Sequence, residues 1–212
     1  MSKSDELRHG APGDSAIHLC VDMQRMFAEA TEWKVPWLAR VLPNIVAITA
    51  AHPERTVFTR FIPAQRPGEG EGMWRRYYER WSSMTIDQLG PAKVDLVPDL
   101  GRFVPPARVF DKHVYSPWTG TDLHRQLRGG GIDTVIITGG ETDVCVLATM
   151  FGAIDWGFRA ILVTDALCSS ADETHDATMA LYTNRFGQQV ETVSTETLLE
   201  SWQARARVGA WS

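Results

Sequence analysis

One cysteine stands where an apolar run gives way to a helical pattern, a position at which a thiol can act as a nucleophile. Residues 134–138 read as a buried strand, two glycines follow, and Cys145 opens a segment with helical spacing. Backbone N–H groups and the helix dipole at such a position favour a thiolate and can hold an oxyanion. We therefore predict a lowered thiol pKa and a nucleophilic role for Cys145. The alternative is a buried cysteine that packs as a small apolar side chain.

Two further polar residues follow short apolar runs. Asp22 comes directly after residues 17–21, and Lys112 ends the run that starts at residue 107. Ligands of open parallel sheets bind outside the carboxyl ends of the strands, so we expect Asp22, Lys112 and Cys145 to meet in one crevice. Taken alone, Asp22 also fits the N-cap of a helix, and Lys112 also fits a solvated loop lysine.

Length, charge and cysteine count narrow the class of protein. The chain has 212 residues, 44% of them hydrophobic, which suits one compact domain. We predict a flexible N-terminal segment at 1–14, without the apolar core of a signal peptide, and a single domain at 15–212. The net charge of −5, the scattered basic residues and the lack of a long apolar stretch argue against nucleic-acid and membrane partners. Three cysteines without metal-finger spacing favour reduced thiols and a cytoplasmic location, with Cys20 and Cys168 as packing residues.

Short apolar runs alternate with longer amphipathic segments along the chain. This alternation predicts an α/β fold with right-handed crossovers and a mainly parallel sheet covered on both faces. The predicted strands are 17–21, 56–60, 108–110, 134–138, 160–163 and 189–192. The predicted helices are 37–51, 122–128, 144–156, 174–185 and 194–205. Residues 63–72 contain a Pro-Gly-Glu-Gly-Glu-Gly stretch and are expected to form an exposed loop.

The motifs, in this order and spacing, resemble those of the isochorismatase-like cysteine hydrolases, the superfamily of nicotinamidases and N-carbamoylsarcosine amidase. The matching motifs are Asp22-x-Gln24, Lys112 with Tyr115-Ser116 and Thr121-x-Leu123, GGETDVCV at 139–146, and VTDA at 163–166. They span almost the whole chain after residue 15. The resemblance implies a Rossmann-like three-layer α/β/α fold with six strands, and we expect a homodimer or homotetramer.

The resemblance also assigns roles. It implies that Cys145 is the nucleophile, with Asp22 as the group that moves protons and Lys112 as the positive charge beside them. The oxyanion hole would consist of the backbone N–H groups of Glu141 and Cys145, with a cis peptide between Gly140 and Glu141. The Glu141 side chain would contact substrate or make a structural hydrogen bond.

Metal content separates the subfamilies. Nicotinamidases have an Asp-x-His metal motif after the second strand, where this chain has Thr59-Arg-Phe-Ile-Pro63. We therefore expect no metal and no cofactor, and nicotinamide is an unexpected substrate. True isochorismatases have glycine in place of Cys145, which argues against their vinyl ether chemistry. His113 and His175 are isolated in the sequence, and we expect hydrogen-bonding roles for both.

Substrate contacts are expected from Gln24, Phe61, Tyr115 and Trp118. Arg60 would bind a substrate carboxylate or pair with an acidic side chain. The aromatic segment 73–81 has two interpretations. It lines the pocket, or it forms a helix that packs on the sheet or on a neighbouring subunit.

These features predict a hydrolase that cleaves a C–N bond of a small amide, lactam or ureido compound through a thioester. An isochorismatase-type hydrolase of a non-amide compound, or a non-catalytic binding protein on the same fold, is the alternative. A dinucleotide-binding oxidoreductase would need a Gly-x-Gly-x-x-Gly turn after the first strand, and residues 21–24 lack it.

Overall fold

A single parallel sheet organises the protein, whose computed structural model describes residues 7–203. The strands are β1 Ala16–Val21, β2 Thr56–Phe61, β3 Arg108–Lys112, β4 Thr134–Gly140, β5 Arg159–Cys168 and β6 Val190–Val193. The helices are α1 Arg25–Ala28, α2 Leu38–Ala51, α3 Met73–Arg80, α4 Ile86–Leu89, α5 Pro98–Gly101, α6 Leu123–Gly129, α7 Cys145–Asp155, α8 Asp172–Arg185 and α9 Thr195–Ser201. Short 3-10 helices lie at Pro53–Arg55, Ser82–Met84 and Pro91–Val94.

The strand order is β3-β2-β1-β4-β5-β6, and every neighbouring pair is parallel. This is the order of a Rossmann-like sheet, so the predicted fold class is confirmed. The order reverses between β1 and β4, and their carboxyl ends therefore flank a crevice. All six predicted strands are present, although β5 extends to Cys168. The predicted helix 194–205 ends at Ser201, and residues 204 and 205 lie outside the described residues.

Two apolar layers cover the sheet because successive strand residues point to opposite faces. On one face, Cys20 and Phe58 pack with Ile45 and Ile48 of α2. On the other face, Leu19 packs with side chains of α6, α7 and α8. The buried residues of those three helices include Leu123, Leu127, Met150 and Tyr182. Cys168 lies in the first layer with Cys20, and both are buried free cysteines, as expected of packing residues.

The described residues of the N-terminal segment form hydrogen bonds with the sheet. The Arg8 guanidinium donates to the Val190 carbonyl at 2.7 Å, and the His9 N–H donates to Glu191 at 3.2 Å. The Arg159 guanidinium donates to the Gly10 carbonyl at 2.7 Å. Residues 8–10 are therefore hydrogen-bonded to β5 and β6, residues 1–6 lie outside the described residues, and the flexibility of segment 1–14 stays a prediction.

The connection between β2 and β3, residues 62–107, holds most of the structure that the sequence did not predict. It contains α3, α4, α5 and two of the 3-10 helices. Most of these helices have four residues or fewer, too short to show a 3.6-residue period. The aromatic segment forms α3, and the expected exposed loop precedes it. Within residues 7–203 no helix combines the length and the apolar character needed to cross a bilayer.

A glycine sets how closely β1 approaches β4. Val21 is the register partner of Gly139, whose φ is +103°. A Cβ atom at Gly139 would lie 2.1 Å from the Val21 carbonyl oxygen, far inside van der Waals contact. Because Asp22 directly follows Val21, this close approach holds the two strand ends side by side.

We expect Gly139→Ala to lower the free energy of unfolding by about 3 kcal/mol, since a left-handed alanine costs about 1 to 2 kcal/mol and overpacking adds a similar amount. Gly120→Ala is the matched control, because Gly120 also has a positive φ of +70° but a Cβ atom there would meet no other atom within 4 Å. Urea unfolding of both variants measures the difference. Equal losses would show that the contact with Val21 is unimportant.

Candidate active site

The carboxyl ends of β1 and β3 and the start of α7 bring together an acid, an amine and a thiol. The Lys112 ammonium lies 2.7 Å from Asp22 Oδ2, 3.5 Å from Cys145 Sγ and 3.2 Å from the Val114 carbonyl oxygen. The three N–H bonds of an ammonium thus have three acceptors. Lys112 is 1% exposed, so it is not a solvated loop lysine.

An unusual backbone conformation orients the Asp22 side chain. Its φ is +51°, the one positive value at a non-glycine position within residues 7–203. Its N–H contacts both the carbonyl and the hydroxyl oxygen of Thr59 at 3.2 Å, and the Thr59 hydroxyl donates to Asp22 Oδ1 at 2.6 Å. Strain of this kind persists where neighbours hold the residue in place. The next helix is capped by Gln24, so Asp22 is not an N-cap.

Cys145 is the first residue of α7 and is 8% exposed. Burial raises the pKa of its thiol well above the ordinary value, the charge of Asp22 raises it further, and Lys112 offsets only part of the effect. The predicted lowering of the thiol pKa is therefore wrong, because desolvation and the negative charge of Asp22 outweigh the stabilisation of a thiolate by Lys112. Burial lowers the pKa of Lys112, but the attraction of Asp22 and Cys145 raises it overall. The resting site thus pairs a protonated thiol with an ammonium.

The loop that precedes Cys145 is fixed by hydrogen bonds. The peptide between Gly140 and Glu141 is cis, as the resemblance implied. Thr142 donates its N–H to the Cys168 carbonyl at 2.8 Å. The backbone N–H groups of Glu141 and Cys145 find no acceptor within residues 7–203. These two groups are free to bind a ligand oxygen.

Side chains behind this loop have structural roles. The Glu141 carboxylate accepts a hydrogen bond from the Ser170 N–H at 2.9 Å, which makes this side chain a structural acceptor. The His175 ring contacts the Thr142 hydroxyl at 2.9 Å, in keeping with the hydrogen-bonding role expected for it. His113 similarly contacts the Ile62 carbonyl at 3.2 Å.

A cavity of about 310 Å³ opens above Cys145 and is walled mainly by aromatic rings. The aromatic lining residues are Phe27, Trp33, Phe61, Tyr77, Trp81 and Tyr115. Polar residues at the cavity are Glu32, Lys34, Glu141 and Ser170. Trp33 is central, with ring centroids 5.8 to 6.2 Å from those of Phe27, Phe61, Tyr77 and Trp81. Such a volume lies at the lower end of small-molecule sites.

Several wall residues were predicted and others were missed. Phe61 and Tyr115 line the cavity as expected, and the aromatic segment contributes Tyr77 and Trp81. Phe27 and Trp33 were not predicted. They lie in the connection between β1 and α2, which begins at the carboxyl end of β1, but nothing in the sequence shows which of its side chains face the cavity.

Two of the expected substrate contacts are wrong because their polar groups are already bound within the fold. The Gln24 side chain accepts from the Phe61 N–H at 2.7 Å and donates to the carbonyls of Phe61 and Val94 at 3.0 and 2.7 Å. The Trp118 indole N–H donates to the Thr149 carbonyl at 2.8 Å. Both side chains are buried away from the cavity lining.

Arg60 pairs with acidic side chains, which is the second of the two roles considered for it. Its guanidinium pairs with both Asp111 carboxylate oxygens at 2.8 and 2.9 Å and with Asp95 at 3.0 Å. The side chain does not line the cavity, so a substrate-binding role is wrong. Within residues 7–203 no group of three His, Cys, Asp or Glu side chains has an arrangement that could hold a metal ion. A metal-free site stays a prediction.

The profile of the Isochorismatase domain matches residues 16–194, and the chain belongs to the isochorismatase family. An uncharacterized isochorismatase family protein of Bacillus subtilis, YwoC, is 36% identical over 108 residues, which cover 48% of this chain and 56% of that protein. The match thus spans little more than half of that relative. Nicotinamidase 3 of Arabidopsis thaliana is 28% identical over 166 residues, or 77% of this chain and 78% of that protein.

Solved structures share the fold. A cysteine hydrolase from Pseudomonas syringae pv. phaseolicola superposes with a TM-score of 0.74 at 21% identity, covering 88% of this chain and 92% of that one. The N-carbamoylsarcosine amidase of Thermoplasma acidophilum superposes with a TM-score of 0.69 at 22% identity, covering 86% of this chain and 97% of that one.

We expect Asp22→Asn to lower the pKa of Cys145, because the substitution removes the negative charge that raises it. Asparagine also tolerates the positive φ at this position. Labelling by iodoacetamide, followed by intact mass as a function of pH, should show a lower midpoint and faster alkylation at pH 7 than in the wild type. Asp111→Asn, which removes a carboxylate outside the cavity, should leave the midpoint unchanged. A midpoint for Asp22→Asn at or above the wild-type value would contradict this electrostatic account.

Proposed function

We propose that the protein is a cysteine amidohydrolase that cleaves a C–N bond of a small amide, lactam or ureido compound through a thioester on Cys145. The observation that carries the proposal is the buried Lys112 ammonium, which contacts both the Asp22 carboxylate and the Cys145 thiol beneath an aromatic cavity. Nicotinamidase 3 and N-carbamoylsarcosine amidase are named for amide hydrolysis, which supports the same reaction class.

The first half of the reaction forms the thioester. Asp22 accepts the thiol proton while Cys145 Sγ attacks the amide carbonyl carbon. The carbonyl oxygen becomes an oxyanion and is held by the free N–H groups of Glu141 and Cys145. The proton on Asp22 then passes to the nitrogen, the C–N bond breaks, and ammonia or an amine leaves.

The second half returns the enzyme to its resting form. Asp22, again a carboxylate, takes a proton from a water molecule as the water oxygen attacks the thioester carbon. The C–S bond breaks, a carboxylic acid is released, and the proton returns to the sulfur. Lys112 keeps its positive charge throughout and stabilises whichever neighbour is negative.

Cys145→Ala should abolish hydrolysis while leaving the fold intact, because alanine is acceptable in the first turn of a helix. We expect kcat to fall by several orders of magnitude, as for other nucleophile removals. Cys20→Ala, which removes a buried thiol from the core rather than from the cavity, is the control and should retain turnover. Covalent catalysis at Cys145 is wrong if the alanine variant keeps a tenth of wild-type turnover.

A substrate panel tests the reaction class. Primary amides, γ-lactams, ureido acids and biuret-like compounds should include at least one compound that releases ammonia or an amine, or opens its ring. That compound should add a transient acyl mass to Cys145, which hydroxylamine discharges, because a thioester is the intermediate. Turnover confined to esters or vinyl ethers, with no acyl adduct, would remove the amidohydrolase assignment and leave the fold assignment unaffected.

A further inference from the structure

The loop between β4 and α7, residues 141–144, is bonded to the segment that runs from the end of β5 into α8. The Ser170 N–H donates to the Glu141 carboxylate at 2.9 Å. The Ser169 hydroxyl donates to the Asp143 carboxylate at 2.6 Å. The position of this loop therefore depends on a neighbouring segment as well as on the two elements that it joins.

Thr142, in the middle of the loop, is completely buried and is held at each of its polar groups. Its N–H and its hydroxyl donate to the Cys168 carbonyl at 2.8 and 3.2 Å. The same hydroxyl forms a hydrogen bond with Nδ1 of His175 at 2.9 Å. The Tyr182 hydroxyl donates to the Thr142 carbonyl at 3.0 Å. Every polar group of Thr142 thus bonds to β5 or α8.

The contacts from α8 come from one face of that helix. Its buried residues are His175, Thr178 and Tyr182, whose spacing of three and four places them in one row. The first and the last of them reach Thr142, and the hydroxyl of Thr178 forms no hydrogen bond with the loop in the described part of the chain. The row thus ends in two polar contacts with a single residue of the loop.

The fixed residue is next to one of the two free N–H groups of the site. Glu141 precedes Thr142, and its N–H has no acceptor within residues 7–203. A donor stabilises an oxyanion only when it is held in position before the charge develops. A buried carbonyl that loses its donor is costly, so a loop without the Tyr182 contact would move to find another partner. Such a movement would carry the Glu141 N–H with it.

We propose that Tyr182 and His175 are positioning residues for the oxyanion hole. They hold Thr142 from behind the loop, and Thr142 fixes the direction of the Glu141 N–H. The inference rests on the proposed function and extends it to two residues of α8 that do not line the cavity. Neither residue touches the substrate.

Two reactions of the same thiol separate this role from a general structural one. With 4-nitrophenyl acetate, Cys145 Sγ attacks the carbonyl carbon, an oxyanion forms, and 4-nitrophenolate leaves as the thioester forms. With methyl methanethiosulfonate, Cys145 Sγ attacks a sulfur atom, the S–S bond breaks, and methanesulfinate leaves as a methyl disulfide forms. The thiol loses its proton in both, but only the first needs an oxyanion hole. The acylation rate divided by the thiolation rate, both measured at Cys145 by peptide mass, therefore reports on the hole.

We expect Tyr182→Phe to lower this ratio by about 10- to 100-fold, because a displaced donor costs no more than the loss of a whole donor. The ring that packs in the apolar layer is retained. His175→Leu should lower the ratio as well, and His175→Asn, whose amide can take the place of Nδ1, should restore it. Thr178→Val is the matched control, since it removes a hydroxyl from the same buried face without a contact to the loop, and its ratio should equal that of the wild type.

The outcomes distinguish this inference from the proposed function. If wild-type Cys145 is acylated but Tyr182→Phe and His175→Leu leave the ratio unchanged, or lower both rates equally, the positioning role is overturned and the proposed function is unaffected. If neither the ester nor any amide of the substrate panel acylates the wild-type thiol, the proposed function itself is overturned.

Circular dichroism melting establishes that each variant is folded. If a variant of α8 does not fold, the same comparison is made from the loop. Thr142→Val should lower the ratio because it removes the hydroxyl that bonds to His175, and Thr142→Ser, which keeps that hydroxyl, should not. Equal ratios for these two variants would also overturn the positioning role.

Discussion

The buried ion pair between Asp22 and Lys112 is the interaction on which the site depends. Both side chains are almost completely buried, and an isolated charge in that position would cost several kcal/mol. Each charge is tolerable only because the other is present and because Thr59 and Val114 satisfy the remaining polar atoms. β1 and β3 are not neighbours in the sheet, so the pair also requires β2 to end between them at the correct residue.

The ion pair also explains how a thiol with a raised pKa can take part in catalysis of the proposed kind. Carboxylate, ammonium and thiol carry a net charge of zero, and carboxylic acid, ammonium and thiolate carry the same net charge. Transfer of the proton from Cys145 to Asp22 therefore moves charge within the site without creating any. In a desolvated pocket such a redistribution costs far less than the formation of a new charge.

The sequence predicted the strands, their parallel arrangement and the three polar residues at the strand ends, because apolar runs and the residues after them are local signals. Side-chain direction was harder to predict. Arg60 and Phe61 are adjacent, but successive strand residues face opposite sides, and only Phe61 reaches the cavity. The sign of the pKa shift at Cys145 depends on burial and on Asp22, which is distant in sequence. Phe27 and Trp33 join the wall through tertiary packing that no local pattern records.

Two kinds of segment form the cavity: the ends of regular elements, and a long connection between two strands. The acid, the amine and the thiol lie where strands end or a helix begins, while Tyr77 and Trp81 belong to the long connection between β2 and β3. Loops tolerate insertion and replacement far better than the elements they connect. The residues that recognise the substrate and the residues that carry the reaction can therefore change independently in evolution. A family built in this way can acquire new substrates by exchanging one connection while its reacting atoms keep their positions.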